Sequence, residues 1–270
     1  MLALTGKASP VADTKFYFTA AVLANYLGDE TNRQPLLEQA IAFVVQTNDP
    51  WLAGQVLAGI VSNPQSDEAY ETLKQRLKTM LADARKLGND WLIGNALHKT
   101  ATLYLDRGDL EVAQNLFQQS NHHLTAYGDG IYSMLTLKWL GNIALKQGNF
   151  SRAADDYMAA LHIVDRTGLE YSDHIGIWYC LRGLSEVAAH ALRPDVMAQL
   201  LGVVALEQER QGGMPSFWFS LLDISSAMAL YEHIAGAPTD GWSFRVHWEM
   251  GRQMRLQQAV EFALNLRLGA

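Results

Sequence analysis

The sequence predicts an all-α protein: an α-α superhelix, a right-handed solenoid of about five helix pairs closed by C-terminal capping helices. Three observations predict it. Apolar residues recur at helical spacing and nowhere alternate at period two. Only seven prolines interrupt 270 residues. Finally, the chain laid on itself at a shift of 40 residues brings Gly28-Asp29, Gly108-Asp109 and Gly148-Asn149 into register, each between two helical stretches. A second series, Asn48, Gly88, Gly128 and Gly168, marks the ends of the following helices at the same spacing. A helix often closes through a left-handed residue, which glycine adopts without strain. An Asp or Asn straight after it can cap the next helix.

The first repeat, about 9–48, carries Tyr17, Ala20, Ala21 and Ala24 on one helix and Leu37, Ala40 and Ile41 on the next. The second, about 49–88, has Pro64 and Glu68 in place of the turn glycine, yet sets Leu73, Leu77, Met80 and Ala84 on one helix face. In the third, about 89–128, the pattern is Leu97, Ala101, Tyr104, Ala113, Phe117 and Ser120. The fourth, about 129–168, is the best preserved: Leu137, Leu140, Gly141 and Ala144, then Ala153, Tyr157, Ala160 and Leu161. Repeat five, about 169–212, keeps Leu181, Leu184, Ser185, Ala188, Ala198 and Ala205. It has extra residues near Glu170–His174, and Arg193-Pro194-Asp195 replaces its turn.

After Gly212-Gly213 the pattern changes, so residues 213–270 form the cap of an array spanning 1–212. Helices are predicted over Ser216–His233, Trp242–Gln253 and Leu256–Leu268. A stacked array needs such an end, because one repeat cannot bury its own apolar face and the last must be covered. Phe217, Trp218, Phe219, Trp242 and Trp248 read as core of this cap.

Hydrophobic content of 49% and charged content of 18% describe an ordered globular chain. A net charge of −7 argues against direct nucleic-acid binding, which needs a basic face. The single cysteine, Cys180, cannot form an internal disulfide, and a reducing, cytoplasmic setting is expected. Met1–Pro10 is too short for the hydrophobic core of a signal peptide, and no apolar run approaches a membrane span.

Leu140-Gly141, then Ala153, Tyr157 and Ala160, is the tetratricopeptide pattern, but the period is nearer the 40-residue class of helical repeats. The wording resembles the MalT-like C-terminal region of bacterial LuxR- and AfsR-type ATPase transcriptional regulators. Three passages carry the likeness: Ala84–Asn89 running to Gly108-Asp109, Gly183–Ala188 with Ala198–Gly202, and Trp248–Arg252 with Leu256–Leu264. The resemblance implies a sensor region that binds an inducer or partner and restrains an attached ATPase, hence a role in signal transduction and transcription regulation. It also implies a preceding ATPase and a DNA-binding domain outside this chain. No Gly-x-x-x-x-Gly-Lys-Ser/Thr phosphate loop is present, since Gly6-Lys7-Ala8 lacks the upstream glycine and the hydroxyl. ATPase activity and DNA binding are therefore not expected of these residues.

In repeats of this type the first helices line the concave face. The positions expected there are Asn95, His98 and Thr102, then Lys138, Asn142 and Lys146, then Arg182, Glu186 and His190. Lys138, Asn142 and Lys146 are spaced four apart and share a helix face, like the carboxylate clamp of peptide-binding tetratricopeptide domains. The candidate partner site is His98, Lys138, Asn142, Lys146, Tyr179, Arg182 and Glu186, with Trp139 and Trp178 as aromatic support. Its expected ligand is a protein, an acidic peptide or a small inducer. A solvated helix face is the plain alternative, and a structural or self-associating homo-oligomeric scaffold the alternative function. No enzyme activity, cofactor or metal is expected. His122 and His123 are adjacent, not spaced for zinc, and Asp155-Asp156 suits an exposed helix better than an acid–base pair. A catalytic pairing of His174 with Cys180 is not expected. The basic run Lys74, Arg76, Lys78, Arg85 and Lys86 reads as a polar outer face.

Overall fold

The structure is a computed structural model, and it describes residues 9–27, 29–44, 46, 47, 49, 52, 56, 67–167, 174–210, 224–236 and 241–266. Every regular element among them is a helix. In order they are α1 (Pro10–Tyr26), α2 (Glu30–Val44), α3 (Asp67–Leu87), α4 (Asp90–Asp106), α5 (Leu110–Tyr127), α6 (Gly130–Lys146) and α7 (Phe150–Thr167). There follow α8 (His174–His190), α9 (Pro194–Arg210), α10 (Ile224–Ala235), α11 (Trp242–Arg252) and α12 (Leu256–Leu264). The last two match the predicted cap helices to within a few residues. Gly28, Asn48, Pro64, Gly168, Gly212-Gly213 and Phe217–Phe219 lie outside the described residues, as does the side chain of Glu68.

The helices fall into two compact units, Met1–Asp129 and Gly130–Ala270. In the first, α1 packs on α2, α3 on α4 and α4 on α5. Its core holds Ala21, Leu37, Ala40, Leu77, Ala96 and Leu103, as the helical spacing requires. Tyr17 stacks on Phe43, ring centroids 5.6 Å apart. Two side-chain contacts tie elements almost one repeat apart: Trp91 Nε1 donates to Asp129 Oδ2 at 2.6 Å, and Arg107 pairs with Asp67. In the second unit α7 packs on α6 and α8, α9 on α8 and α11, and α12 lies against α7. One continuous core runs through it from Met134 to Ala263.

The predicted glycine series closes the helices. Gly88, Gly108, Gly128 and Gly148 have φ of 61°, 83°, 89° and 72°, all left-handed. Each helix end is finished by backbone hydrogen bonds such as Gly128 N–H to Leu124 C=O and Asp129 N–H to Leu124 C=O, both 3.0 Å. Asn89 then caps α4 by accepting from Leu92 N–H at 3.0 Å. Between α8 and α9 the same left-handed place is held by Leu192, φ 54°, beside an Arg193–Asp195 ion pair at 3.1 Å.

Close helix approach is also set by glycine. A Cβ at Gly202 would stand 2.2 Å from the Trp248 carbonyl oxygen, and one at Gly251 would stand 1.9 Å from that of Gln199. Helices α9 and α11 therefore touch backbone to backbone, which no side chain can adjust.

Candidate functional site

The candidate site is built on α6, α7 and α8 of the second unit. Its foundation is Tyr157 of α7, fully buried with its ring between two glycines. A Cβ at Gly141 of α6 would lie 2.7 Å from the ring, and one at Gly183 of α8 only 2.2 Å from it. The small residues let three helices close on one aromatic ring. The phenol at its edge donates to Asn142 Oδ1 at 2.6 Å. Burial, ahead of the nearby Cys180 and Glu186, pushes that phenol above its usual range, so it stays protonated and a donor. That bond fixes which end of the Asn142 amide faces the phenol: the oxygen accepts from Tyr157, and the NH₂ is its donor end.

Lys138 lies one turn before Asn142 on the same helix face. The plain expectation of a solvated lysine is not met: the residue is 6% exposed. Its ammonium sits 4.0 Å from the centroid of the Trp139 ring and 4.7 Å from that of Tyr179 on α8. Two ring faces thus hold the charge, an arrangement worth roughly 0.5–2 kcal/mol per ring depending on desolvation. One turn beyond Tyr179 stands Arg182, half-buried, its Nε 3.7 Å from Glu186 Oε1. Such a long, partly exposed pair contributes little and yields readily to a competing carboxylate. Lys146 is exposed at the end of α6. His190 is exposed at the end of α8, where its ring stacks on Phe150 at 3.7 Å.

The predicted residues of the second unit therefore divide. Lys138, Asn142, Tyr179, Arg182 and Glu186 form one continuous constellation, with Trp139 as its aromatic wall, and Lys146 lies at its edge. Trp178 turns into the core instead, 3% exposed.

His98 belongs to the first unit. It is 5% exposed and stands edge-on to Phe117, centroids 5.3 Å apart. Asn95 beside it is also buried, donating from Nδ2 to the Trp91 carbonyl at 2.9 Å. Both are packed residues of the α4–α5 hairpin. Lys99, between them and Thr102 on α4, has its ammonium pushed down to about 8 by burial.

Sequence reasoning missed the part played by Tyr157, which it read only as filling. The available signal was its hydroxyl, since Phe117 occupies the same place in the preceding repeat. It also set Asp156 on an exposed face. Asp155 is exposed, but Asp156 is half-buried, and burial raises its carboxyl to about 6 against the opposing pull of Arg152, Nε to Oδ2 3.6 Å. His123 is likewise engaged, its Nδ1 2.7 Å from Asp90 Oδ1. Among the described residues no cluster of three His, Cys, Asp or Glu could hold a metal ion, and no helix is long and apolar enough to cross a membrane. Cys180 is buried.

A scan against models of protein families finds none that matches the chain, and a search of curated proteins finds no match either.

Proposed function

We propose that the chain is a non-catalytic helical-repeat interaction module whose α6–α8 face binds an acidic peptide or a partner's carboxylate. The observation that carries this reading is the donor set: an ammonium against two aromatic rings, an amide whose oxygen is held by the Tyr157 phenol, and a guanidinium in a loose ion pair. All three groups are N–H donors, so the proposed ligand supplies acceptors. Charge alone is not enough. Micromolar affinity needs about −8 kcal/mol, and exposed ion pairs give about 0–1 kcal/mol each. Trp139 and Tyr179 supply the apolar area that the remainder requires.

The 40-residue register of the sequence supports a repeat array of the tetratricopeptide-like, α-α superhelix class. The resemblance to MalT-like regions adds the biological setting: a cytoplasmic sensor segment of a bacterial transcriptional regulator, answering to a peptide, protein or small inducer. An array of acidic, neutral and basic peptides tests the ligand class. Acidic peptides are expected to bind, and Arg182→Glu and Lys138→Glu to abolish capture with helical circular dichroism unchanged. Equal retention of all three peptide classes, or full binding by both variants, overturns the assignment.

A further inference from the structure

The helix α11 has two unlike faces. Its inner face carries Phe244, 1% exposed, Trp248, 6% exposed, and Gly251, whose backbone lies on that of Gln199 in α9. That contact fixes the helix rigidly on its unit. The outer face carries Trp242, Val246 and Met250, spaced four apart and exposed by 68%, 40% and 47%. An exposed helix face is ordinarily polar, for solubility. Here the polar residues are confined to the flank.

The flank says what covers the stripe. Arg245 and Glu249 follow one another by one turn along the same side of the apolar row, both exposed. Arg252, the other cation of α11, is committed to Glu209 of α9 through two hydrogen bonds of 2.8 and 2.9 Å. It only grazes Glu249 at 3.8 Å. Arg245 makes no ion pair among the described residues. When two copies of one helix pack antiparallel about a two-fold axis, each flank meets the same flank of the other copy, and contacts are reciprocal. An axis near residue 247 sets Arg245 against Glu249 of the second copy and Glu249 against its Arg245. A centre only one residue away, at 246, brings Trp242 towards Met250 of the second copy, an aromatic–thioether contact, and sets the two Val246 side chains face to face, so one packing serves both rows to within about 1.5 Å along the helix.

We propose that the outer face of α11 is a self-association surface, occupied by α11 of a second copy of this chain in antiparallel two-fold packing. An eleven-residue helix is about 16 Å long, so the surface falls at the small end of protein interfaces and the dimer dissociates on dilution.

Sedimentation equilibrium of the full chain from about 10 µM to about 1 mM tests this. The average mass is expected to climb toward twice that of one chain, and to stay at one chain for Val246→Glu at every concentration. Arg245→Glu is expected to weaken association about tenfold, and Arg245→Glu with Glu249→Arg to restore it, because the exchanged pair is again reciprocal. These side chains are exposed, so the fold is not at stake, and circular dichroism confirms it. A wild-type chain that stays monomeric throughout assigns the stripe to a different partner and overturns the proposal. A dimer indifferent to Val246→Glu, or a double reversal no better than the single one, overturns it equally.

Discussion

The hairpins α4–α5 and α6–α7 have helices of matching length, 17 and 18 residues in each, filled with different side chains. At a shift of 40 residues Ala101 corresponds to Gly141, Phe117 to Tyr157, Thr102 to Asn142, His98 to Lys138 and Leu116 to Asp156. In the first hairpin the ring of Phe117 ends against His98, and the Thr102 hydroxyl donates to the Lys99 carbonyl of its own helix at 2.9 Å. In the second, a phenol replaces the phenyl and reaches Asn142, while Lys138 stands between Trp139 and Tyr179. The first hairpin uses these positions for packing, and the second uses them for a buried phenol donor and the amide that accepts from it.

The comparison breaks most severely at the glycine. Gly141→Leu forces the α6–α7 pair apart against a ring that cannot move, because Gly183 closes its other side. The expected loss is about 3 kcal/mol or more, against about 1–2 kcal/mol for Ala101→Gly in the other hairpin. Urea unfolding of the two variants measures the difference.

Exchanging the aromatic residues sharpens it. Tyr157→Phe leaves the Asn142 carbonyl without its donor and is expected to cost about 1–2 kcal/mol. Phe117→Tyr buries a hydroxyl at a fully enclosed position for about 1–3 kcal/mol. Adding Thr102→Asn to Phe117→Tyr should recover part of that loss by supplying an acceptor. A double variant no more stable than the single one would show that the two hairpins differ in more than these side chains.

The turns extend the contrast. Leu192, 71% exposed, holds the left-handed conformation that Gly148 holds after α6. Leu192→Gly relieves this at little packing cost and is expected to stabilise the chain by about 1 kcal/mol. A melting temperature that falls would contradict it.

The smallest effect concerns Asp156, where the preceding repeat has Leu116. Its folded carboxyl keeps a proton up to about pH 6, whereas an unfolded aspartate releases it near pH 4. Between these values the folded state binds more protons, so this group's contribution falls as pH rises from about 4 to about 6 and stays low above. Asp156→Asn should therefore stabilise the protein more at about pH 7.5 than at about pH 4.5. Equal effects at both would mean that Arg152 already compensates the burial.

The helices were legible in the sequence because their signals are local or periodic. Glycines at 88, 108, 128 and 148 mark ends that only a left-handed residue can close, and all four have positive φ. Lys138, Asn142, Tyr179 and Arg182 could be placed together because first helices at a fixed period present equivalent positions. What could not be read was depth. Lysine is ordinarily a surface residue, and the rings of Trp139 and Tyr179 help to offset the burial of Lys138. His98 was placed on an open face by the same counting, yet Phe117 encloses it. The orientation of Asn142 depends on a hydroxyl fifteen residues away, across a helix crossing set by two glycines.

The proposed binding face on α6 and α8 depends on Tyr157 to hold its donors in shape. Calorimetric titration of the strongest acidic peptide into the wild-type chain, Asn142→Ala and Tyr157→Phe tests it most directly. Binding that weakens about tenfold in both variants, with native melting retained at the titration temperature, is the predicted result. Wild-type affinity in both variants would contradict it.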